Sequence, residues 1–246
     1  MKKLKLPSEV VYLAAIVLLA FSVAMLTSVD FGISMIVAPA YILSLVVPSL
    51  SFGQAEYVIQ AIHFVVFCVV MKNFRISSLS SFLTCLLYGA VLDLFRLIPL
   101  FNPTITPPGS IELWARIVMF ILGVPMSAFS IALFSKTYLY PEVYDLFFLG
   151  ISKKYCIKTA VFKTCFDAFM LVLGTAMTLG FFKKFVGINW GTLVMTVCNG
   201  TLISLFSKLL DKFVVVTPVF KKFAVHFALD EPIPTRIKHP AYVREI

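Results

Sequence analysis

The chain has 246 residues, of which 60% are hydrophobic and only 13% are charged, and its 21 Lys and Arg against 12 Asp and Glu give a net charge of +9. A soluble domain carries roughly 25% charged residues and about half apolar ones, so this composition excludes a soluble enzyme and an intrinsically disordered chain. In so apolar a chain, an excess of basic residues indicates membrane orientation rather than nucleic-acid binding. We therefore predict an integral membrane protein that does not bind nucleic acid.

Long apolar windows predict where the chain crosses the bilayer. The hydrocarbon core is about 30 Å thick, and a helix needs roughly 20 apolar residues to cross it. Six windows of about that length carry few charges, and they predict six transmembrane helices. These cover approximately residues 9–29, 53–71, 77–99, 113–135, 157–181 and 187–210.

Two further apolar stretches are too short to cross. Residues 33–47 contain Pro39, and residues 141–151 begin with Pro141 and contain Asp145. We predict a Pro-containing half-helix in each, either re-entrant or interfacial. Backbone of this kind is tolerated within a membrane only where protein buries it or water reaches it.

The distribution of basic residues predicts the orientation. The first apolar stretch follows a basic start and is longer than the core of a signal peptide, so it is expected to stay as an anchor with the N-terminus inside. Nearly all Lys and Arg then fall in cytoplasmic segments, with Lys183 and Lys184 outside. We expect a multi-pass protein of the bacterial inner membrane with both termini cytoplasmic. Residues 1–212 would form the transmembrane domain, and 213–246 a cytoplasmic interfacial segment and a polar tail.

A weak internal repeat relates the two halves. Residues 21–27 match 129–135, and a later offset superposes Gly89 on Gly200. Each half, about 9–99 and about 113–210, holds a span, a half-helix and two more spans. Three crossings are odd, so the second copy must enter from the opposite side. The predicted fold is all-α, with six transmembrane helices as two inverted three-helix repeats.

Short motifs resemble the bacterial YczE/YyaS/YitT-like membrane proteins. Residues 50–55, Leu-Ser-Phe-Gly-Gln-Ala, are similar to that family's Leu-Ser-x-Gly-Thr-Val entry into a helix. Residues 157–167, with Lys163 four positions before Asp167, resemble the corresponding step of its second repeat, and residues 191–193 resemble the start of its repeat-ending helix. The resemblance spans about residues 10–210 and implies a bacterial membrane protein.

Polar residues inside spans mark candidate functional positions, because burying an ionisable group there costs at least about 2.5 kcal/mol on insertion scales. Lys163 and Asp167 lie one turn apart and can pair, and Glu56 and Gln60 occupy the equivalent places in the first repeat. These four could form a polar cluster at mid-membrane. Two alternatives stay open: the Lys163 pair could serve structure alone, and Glu56 could reach outer headgroup water.

The second polar group lies on the repeat-ending spans. Asp93 and Arg96 are three residues apart and are expected to pair, and Asn199 lies near the equivalent positions of the last span. Gly89 and Gly200 would either permit close helix packing or let a ligand approach the backbone. Packing is favoured, since small residues are enriched where membrane helices meet.

These observations favour a small-solute secondary transporter or permease with its site between the repeats. No enzyme motif is present in the sequence, and no ligand set for a metal or cofactor. The half-helix N-termini would suit an anionic solute, and a homo-oligomer is compatible with the pattern. The alternatives are a non-transporting scaffold or accessory subunit that uses the basic tail, and a lipid-handling protein. The expected pathway residues are Glu56, Gln60, Asp93, Arg96, Lys163, Asp167 and Asn199, and the expected half-helix ends are Gly32, Pro39, Pro141 and Asp145.

Overall fold

The structure is a computed structural model that describes residues 4–72, 78–139, 142–220 and 224. Pro141 and the polar tail from residue 225 lie outside the described residues, as does Ser77 at the start of the predicted third span. What the sequence predicts for these positions stays a prediction.

Helices account for most of the described chain, and their order repeats after the fourth. A long helix is followed by a short one and then by two long ones, and the same order recurs. Two short strands lie outside the helices, β1 at Leu4–Pro7 and β2 at Val214–Thr217. The helices are α1 (Ser8–Val29), α2 (Ala38–Val46), α3 (Phe52–Met71), α4 (Leu79–Arg96), α5 (Leu113–Phe134), α6 (Val143–Lys154), α7 (Thr159–Phe182) and α8 (Trp190–Phe213).

Six of these helices are long and apolar enough to cross a membrane. Every boundary falls within three residues of the span predicted from hydropathy, so the six-span prediction is confirmed. The 22 residues of α1 extend over about 33 Å, which matches the hydrocarbon core of a bilayer. The chain is therefore a multi-pass membrane protein.

The two short helices occur where half-helices were predicted. Pro39 is the second residue of α2, a position where the missing N–H of proline breaks no intrahelical hydrogen bond. The helix ends at Val46, two residues before Pro48, because the residue before a proline is driven out of the helical conformation. The second short helix, α6, runs beside α3. Its first backbone N–H, on Val143, contacts the middle of α3, and Lys154 at its end donates to the Val70 carbonyl.

Helix α1 packs between two other long helices. Helix α1 contacts α4 on one side and α5 on the other, and α5 in turn contacts α8. Of the most apolar window of α1, 67% of residues are buried within the protein, against 6% for α8. Helix α1 is thus the most deeply buried of the six long helices, and α8 is covered mainly on the face that packs against α5.

Contacts of the short helices correspond between the halves. Helix α2 packs against α3 of its own half and α7 of the other, and α6 packs against α7 of its own half and α3 of the other. The correspondence fails for the last pair of each half. Helices α3 and α4 pack closely, whereas α7 and α8, both described throughout their backbones, barely contact each other.

Two glycines explain the close packing of α3 and α4. A Cβ added at Gly53 would clash with the Gly89 carbonyl, and one added at Gly89 would clash with the Tyr57 ring. Because neither glycine has a Cβ, the two backbones can touch, as small residues commonly allow in membrane bundles. At Gly200, which the repeat superposes on Gly89, an added Cβ would meet open space. The packing role expected for these glycines therefore holds for Gly89 alone.

The first and last described segments join at one end of the bundle. Strands β1 and β2 pair in parallel, with Leu4 opposite Val214. The Glu9 carboxylate accepts hydrogen bonds from the backbone N–H groups of Val219 and Phe220. The interfacial segment expected from about residue 213 thus begins as a strand, because the extended N-terminus offers it a hydrogen-bonding edge.

Candidate functional site

A cavity of about 120 Å³ lies inside the bundle. A cavity of about 150 Å³ can hold benzene, so this one has room for a small organic molecule or several waters. Side chains of six of the helices and of the segment before α2 form its walls, and most of them are apolar. The apolar members are Leu19, Val23, Leu26, Ile33, Ile36, Val37, Ile131, Phe134, Met195 and Ile203.

The start of α6 forms the polar end of the cavity. Gln60, fully buried in α3, accepts a hydrogen bond from the Val143 N–H at 3.1 Å, and so caps the first turn of α6. The Gln60 side-chain amide and the Tyr144 hydroxyl both donate to the carboxylate of Glu56, at 3.3 and 3.2 Å. Because α6 begins against the middle of α3, its first residues lie deep in the protein. Glu142, Tyr144 and Asp145 all line the cavity as a result.

Several buried oxygens on residues that line the cavity have no hydrogen-bond partner among the described residues. They are Glu142 Oε1, the Tyr88 hydroxyl and Asn199 Oδ1, and each of these three residues lines the cavity. A fourth unpartnered oxygen, Glu56 Oε1, lies behind Tyr144 on a side chain that is 0% exposed. An unsatisfied buried polar atom costs about 1–3 kcal/mol, so this concentration beside a cavity needs a ligand or water to compensate it.

Lys163 and Asp167 lie on the α7 side of the cavity. The Lys163 ammonium is 3.0 Å from the Asp167 carboxylate, which confirms that the two side chains pair. Lys163 also lies over the ring of Phe148 in α6 and lines the cavity. Its side chain is nevertheless 40% exposed. The cavity therefore reaches the protein surface near Lys163, where α7 and α8 are apart.

The segment before α2 is held in place by the second half of the chain. Arg116 of α5 donates two hydrogen bonds to the Val29 carbonyl, at 2.8 and 2.6 Å, and so caps the end of α1. The Ile33 N–H donates to the Gly187 carbonyl, and the Phe31 carbonyl accepts from the Gly191 N–H. These contacts from α5 and the α7–α8 connection place residues 33–37 against the cavity.

The predicted pathway residues fall into three places. Glu56 and Gln60 lie together between α3 and α6, and full burial of Glu56 excludes the alternative that it reaches headgroup water. Lys163 lies on the other side of α6, which packs against both α3 and α7. The structure therefore brings the two polar pairs to the two faces of one short helix.

Asp93 and Arg96 lie elsewhere. The Asp93 carboxylate accepts from the Ser51 hydroxyl at 2.5 Å and from the Gly53 N–H at 2.8 Å, so it caps the start of α3. Arg96 stacks over the Phe52 ring and does not form a contact ion pair with Asp93. Their three-residue spacing suggested an intrahelical pair, but the neighbouring helix end offers Asp93 two donors. Neither residue lines the cavity.

The predicted half-helix ends are used for packing more than for binding. Gly32 has a φ of +109°, and an added Cβ there would collide with Thr192 of α8. Pro39 packs near Gly174 of α7. Asp145 lines the cavity, whereas Pro141 lies outside the described residues.

Sequence reasoning overlooked Glu142, Tyr88 and Tyr144. Glu142 follows Pro141 at the boundary of a predicted half-helix, where an acid is ordinarily expected to face water. Its three-residue spacing from Asp145 could have revealed it, because two acids one turn apart at the start of an intramembrane helix are costly. Tyr88 lies beside Gly89, and tyrosines are common enough in spans that no local pattern distinguishes it.

The arrangement can bind a solute and exchange protons, since carboxylates, hydroxyls and an amide line a cavity that reaches the surface near Lys163. Within the described ranges, no group of three or more His, Cys, Asp or Glu side chains could hold a metal ion. The five cysteines form no disulfide.

Comparison with known proteins gives one match. No curated protein and no solved structure is significantly similar to the chain. A family model described as a family of unknown function, DUF6198, matches residues 6–208, which include all of the short helices and nearly all of the long ones. The chain therefore belongs to the DUF6198 family.

Proposed function

We propose that the protein is a small-solute secondary transporter or permease whose binding site is the cavity at the start of α6. The observation that carries this proposal is that the unpartnered buried oxygens of Glu142, Tyr88 and Asn199 all belong to residues that line one cavity. A packed structural core would pair these atoms, because each one left unpaired lowers stability.

The arrangement of the halves supports a transporter of the inverted-repeat type. Such carriers bind substrate near mid-membrane, at the interface of two repeats and beside short or broken helices. The offset that superposes Gly89 on Gly200 also places Tyr88 on Asn199, so the two halves contribute unpartnered atoms from equivalent positions. In this proposal the repeats are inverted, the short helices are re-entrant, and both termini are cytoplasmic.

Two-sided cysteine labelling tests the proposal without knowledge of the substrate. The five native cysteines are replaced, and single cysteines are placed at Asn199 and Ser34, which both line the cavity. A membrane-impermeant thiol reagent is then applied from each side. Alternating access predicts that both positions are labelled from both faces, since the cavity must open to each in turn.

A cysteine at Leu92 is the matched control. The repeat offset places Leu92 on the cavity residue Ile203, but Leu92 is 0% exposed and packed in the closed part of the bundle. It should stay unlabelled from both sides. If the cavity positions also resist labelling from both sides, the site is a packed polar core and transport is rejected.

The scaffold alternative depends on the tail, residues 230–246, which lie outside the described residues. Deleting this segment separates the two functions. A self-contained carrier should keep its transport activity, whereas a scaffold that uses the tail as its contact should lose its function.

One observation favours lipid handling as a second candidate. Helices α7 and α8 barely contact each other, and the cavity reaches the surface at Lys163 between them. A lipid could enter sideways through such a gap. Lipid that co-purifies with the wild-type protein but not with a variant whose α7 and α8 are cross-linked would support this candidate.

A further inference from the structure

The balance of charge at the polar end of the cavity bears on the kind of solute it binds. Glu142 and Asp145 line this end, and Glu56 lies directly behind Tyr144. The one basic side chain in the described lining, Lys163, is neutralised by Asp167 at 3.0 Å. An anion placed there would face the Glu142 carboxylate, and the described lining residues offer no unneutralised cation, so the charges favour a cation.

The unpartnered atoms indicate the same preference by hydrogen bonding. An ionised carboxylate and an amide oxygen can only accept, and a tyrosine hydroxyl can accept as well as donate. Glu142 Oε1, Asn199 Oδ1 and the hydroxyl of Tyr88, which is 1% exposed, therefore await a donor-rich group. A primary ammonium group carries three N–H donors and one positive charge.

The rest of the cavity selects for an apolar body. Aliphatic and aromatic side chains of α1, α5 and α8 surround the space beyond the polar end. A volume of about 120 Å³ accommodates a short alkyl chain beside the ammonium group. A bare metal ion is disfavoured, because the described residues offer no group of three His, Cys, Asp or Glu ligands.

We propose that the cavity binds a small primary alkylammonium ion. Its ammonium group contacts Glu142, Tyr88 and Asn199, and its alkyl chain lies against α1, α5 and α8. This proposal rests on the proposed function and names its substrate class. It replaces the anionic solute expected from the half-helix ends, because Gln60 already caps α6 and Gly32 packs against Thr192.

Calorimetric titration of the purified full-length protein in lipid nanodiscs tests the proposal. The probes are n-alkylammonium ions from methyl to hexyl, the matched n-alkyl alcohols and the matched carboxylates. An ammonium ion of optimal length should bind roughly tenfold or more tightly than its alcohol, because hydrogen bonds to charged groups are worth about 1.5–3 kcal/mol. The carboxylates should show no saturable binding.

Three variants connect the binding to the site. Glu142→Gln should weaken ammonium binding roughly tenfold and leave the weak binding of the alcohol unchanged. Tyr88→Phe preserves shape and removes only the hydroxyl, so it should weaken binding by a smaller factor. Asp211→Asn is the control, because that carboxylate pairs with Lys136 and does not line the cavity. Melting temperatures of all the variants establish that they fold.

The outcomes separate this proposal from the proposed function. If a carboxylate binds more tightly than its ammonium counterpart, or if no ammonium ion exceeds its alcohol, the substrate class is wrong. Equal loss of binding in Glu142→Gln and Asp211→Asn would also overturn the assignment of the site. If cysteines at Asn199 and Ser34 are nevertheless labelled from both sides, the protein is still a carrier, but of another solute.

Discussion

The two halves of the protein have the same order of helices but differ where their last two helices meet. In the first half, Gly53 and Gly89 bring α3 and α4 into backbone contact. In the second half, α7 and α8 barely contact each other, and Gly200 faces open space. The closed pair is tightly packed, and the cavity reaches the surface beside the open pair. Two halves with the same order of helices can therefore differ in how closely their last two helices pack.

The largest expected effect comes from filling the contact in the closed pair. Gly89→Leu would force a side chain into the Tyr57 ring and the Gly53 backbone, which cannot both move away. Overpacking of this kind costs about 1–3 kcal/mol and more where backbones touch. We expect loss of the folded protein, or a large drop in melting temperature measured in detergent.

Gly200→Leu is the matched change in the open pair. Apart from its chain neighbours and the nearby backbone of α8, no described atom lies within 4 Å of a Cβ at Gly200. Leucine also favours a helix by about 0.5–1 kcal/mol over glycine, so this variant should melt at or slightly above the wild-type temperature. Equal destabilisation by the two substitutions would show that α7 and α8 pack as closely as α3 and α4.

The next prediction compares the loss of stability on substitution of Gln60 and of Asp167, which the repeat places at equivalent positions. Gln60→Leu removes the acceptor of the Val143 N–H and should cost about 1–3 kcal/mol in the free energy of unfolding. Asp167→Asn breaks a partly exposed ion pair and should change it by about 1 kcal/mol or less. Denaturant titrations monitored by tryptophan fluorescence measure both values.

The variant with the smaller loss of stability, Asp167→Asn, should show the larger loss of transport. Asp167→Asn leaves Lys163 positive and unneutralised beside the cavity, so transport should fall although the protein remains folded. Uptake assays in proteoliposomes check this expectation. Wild-type uptake in Asp167→Asn, combined with normal stability in Gln60→Leu, would remove the functional distinction between the two faces of α6.

The helices could be predicted from the sequence because each depends on local properties. A helix needs about 20 apolar residues to span a bilayer, and prolines mark the ends of the apolar stretches that are too short to cross. Both rules act within one segment, so the spans and the short helices were found to within a few residues. Spacing within one helix also identified the Lys163–Asp167 pair correctly.

The site was predicted in part, because its geometry depends on contacts between segments distant in the chain. The cost of polar groups in a membrane selected Glu56, Gln60, Lys163 and Asn199, of which Lys163 and Asn199 line the cavity. The same rule selected Asp93, which the structure uses to cap α3 from α4. Asp145, which also lines the cavity, was expected only as a half-helix end. Glu142 and Tyr88 were missed, because only the position of α6 against α3 and α4 brings them to the cavity.

A smaller effect is expected at the cap of the closed pair. Asp93→Ala would leave the Ser51 hydroxyl and the Gly53 N–H without their acceptor, at a cost of about 0.5–2 kcal/mol, typical of a lost helix cap. Asp93→Asn keeps one acceptor oxygen and should cost less. The melting temperature should follow this order, and transport per folded molecule should stay unchanged because Asp93 does not line the cavity. Reduced transport in Asp93→Asn at wild-type stability would restore Asp93 as a pathway residue.

The smallest effect on stability is expected at Ile203. Substitution there tests the difference between the two halves most directly. Ile203→Trp directs a large ring into the cavity, which has space for it, so the free energy of unfolding should change by about 0.5 kcal/mol or less. Butylammonium binding should nevertheless be lost, because the ring occupies the volume that the alkyl chain needs. Leu92→Trp at the equivalent position has no cavity to enter, since Leu92 is fully buried, and it should destabilise the protein strongly. For each variant, calorimetry measures butylammonium binding and thermal melting measures stability. Only a cavity that Ile203 lines and Leu92 does not predicts that binding is lost in Ile203→Trp while its stability is retained, and that stability itself is lost in Leu92→Trp.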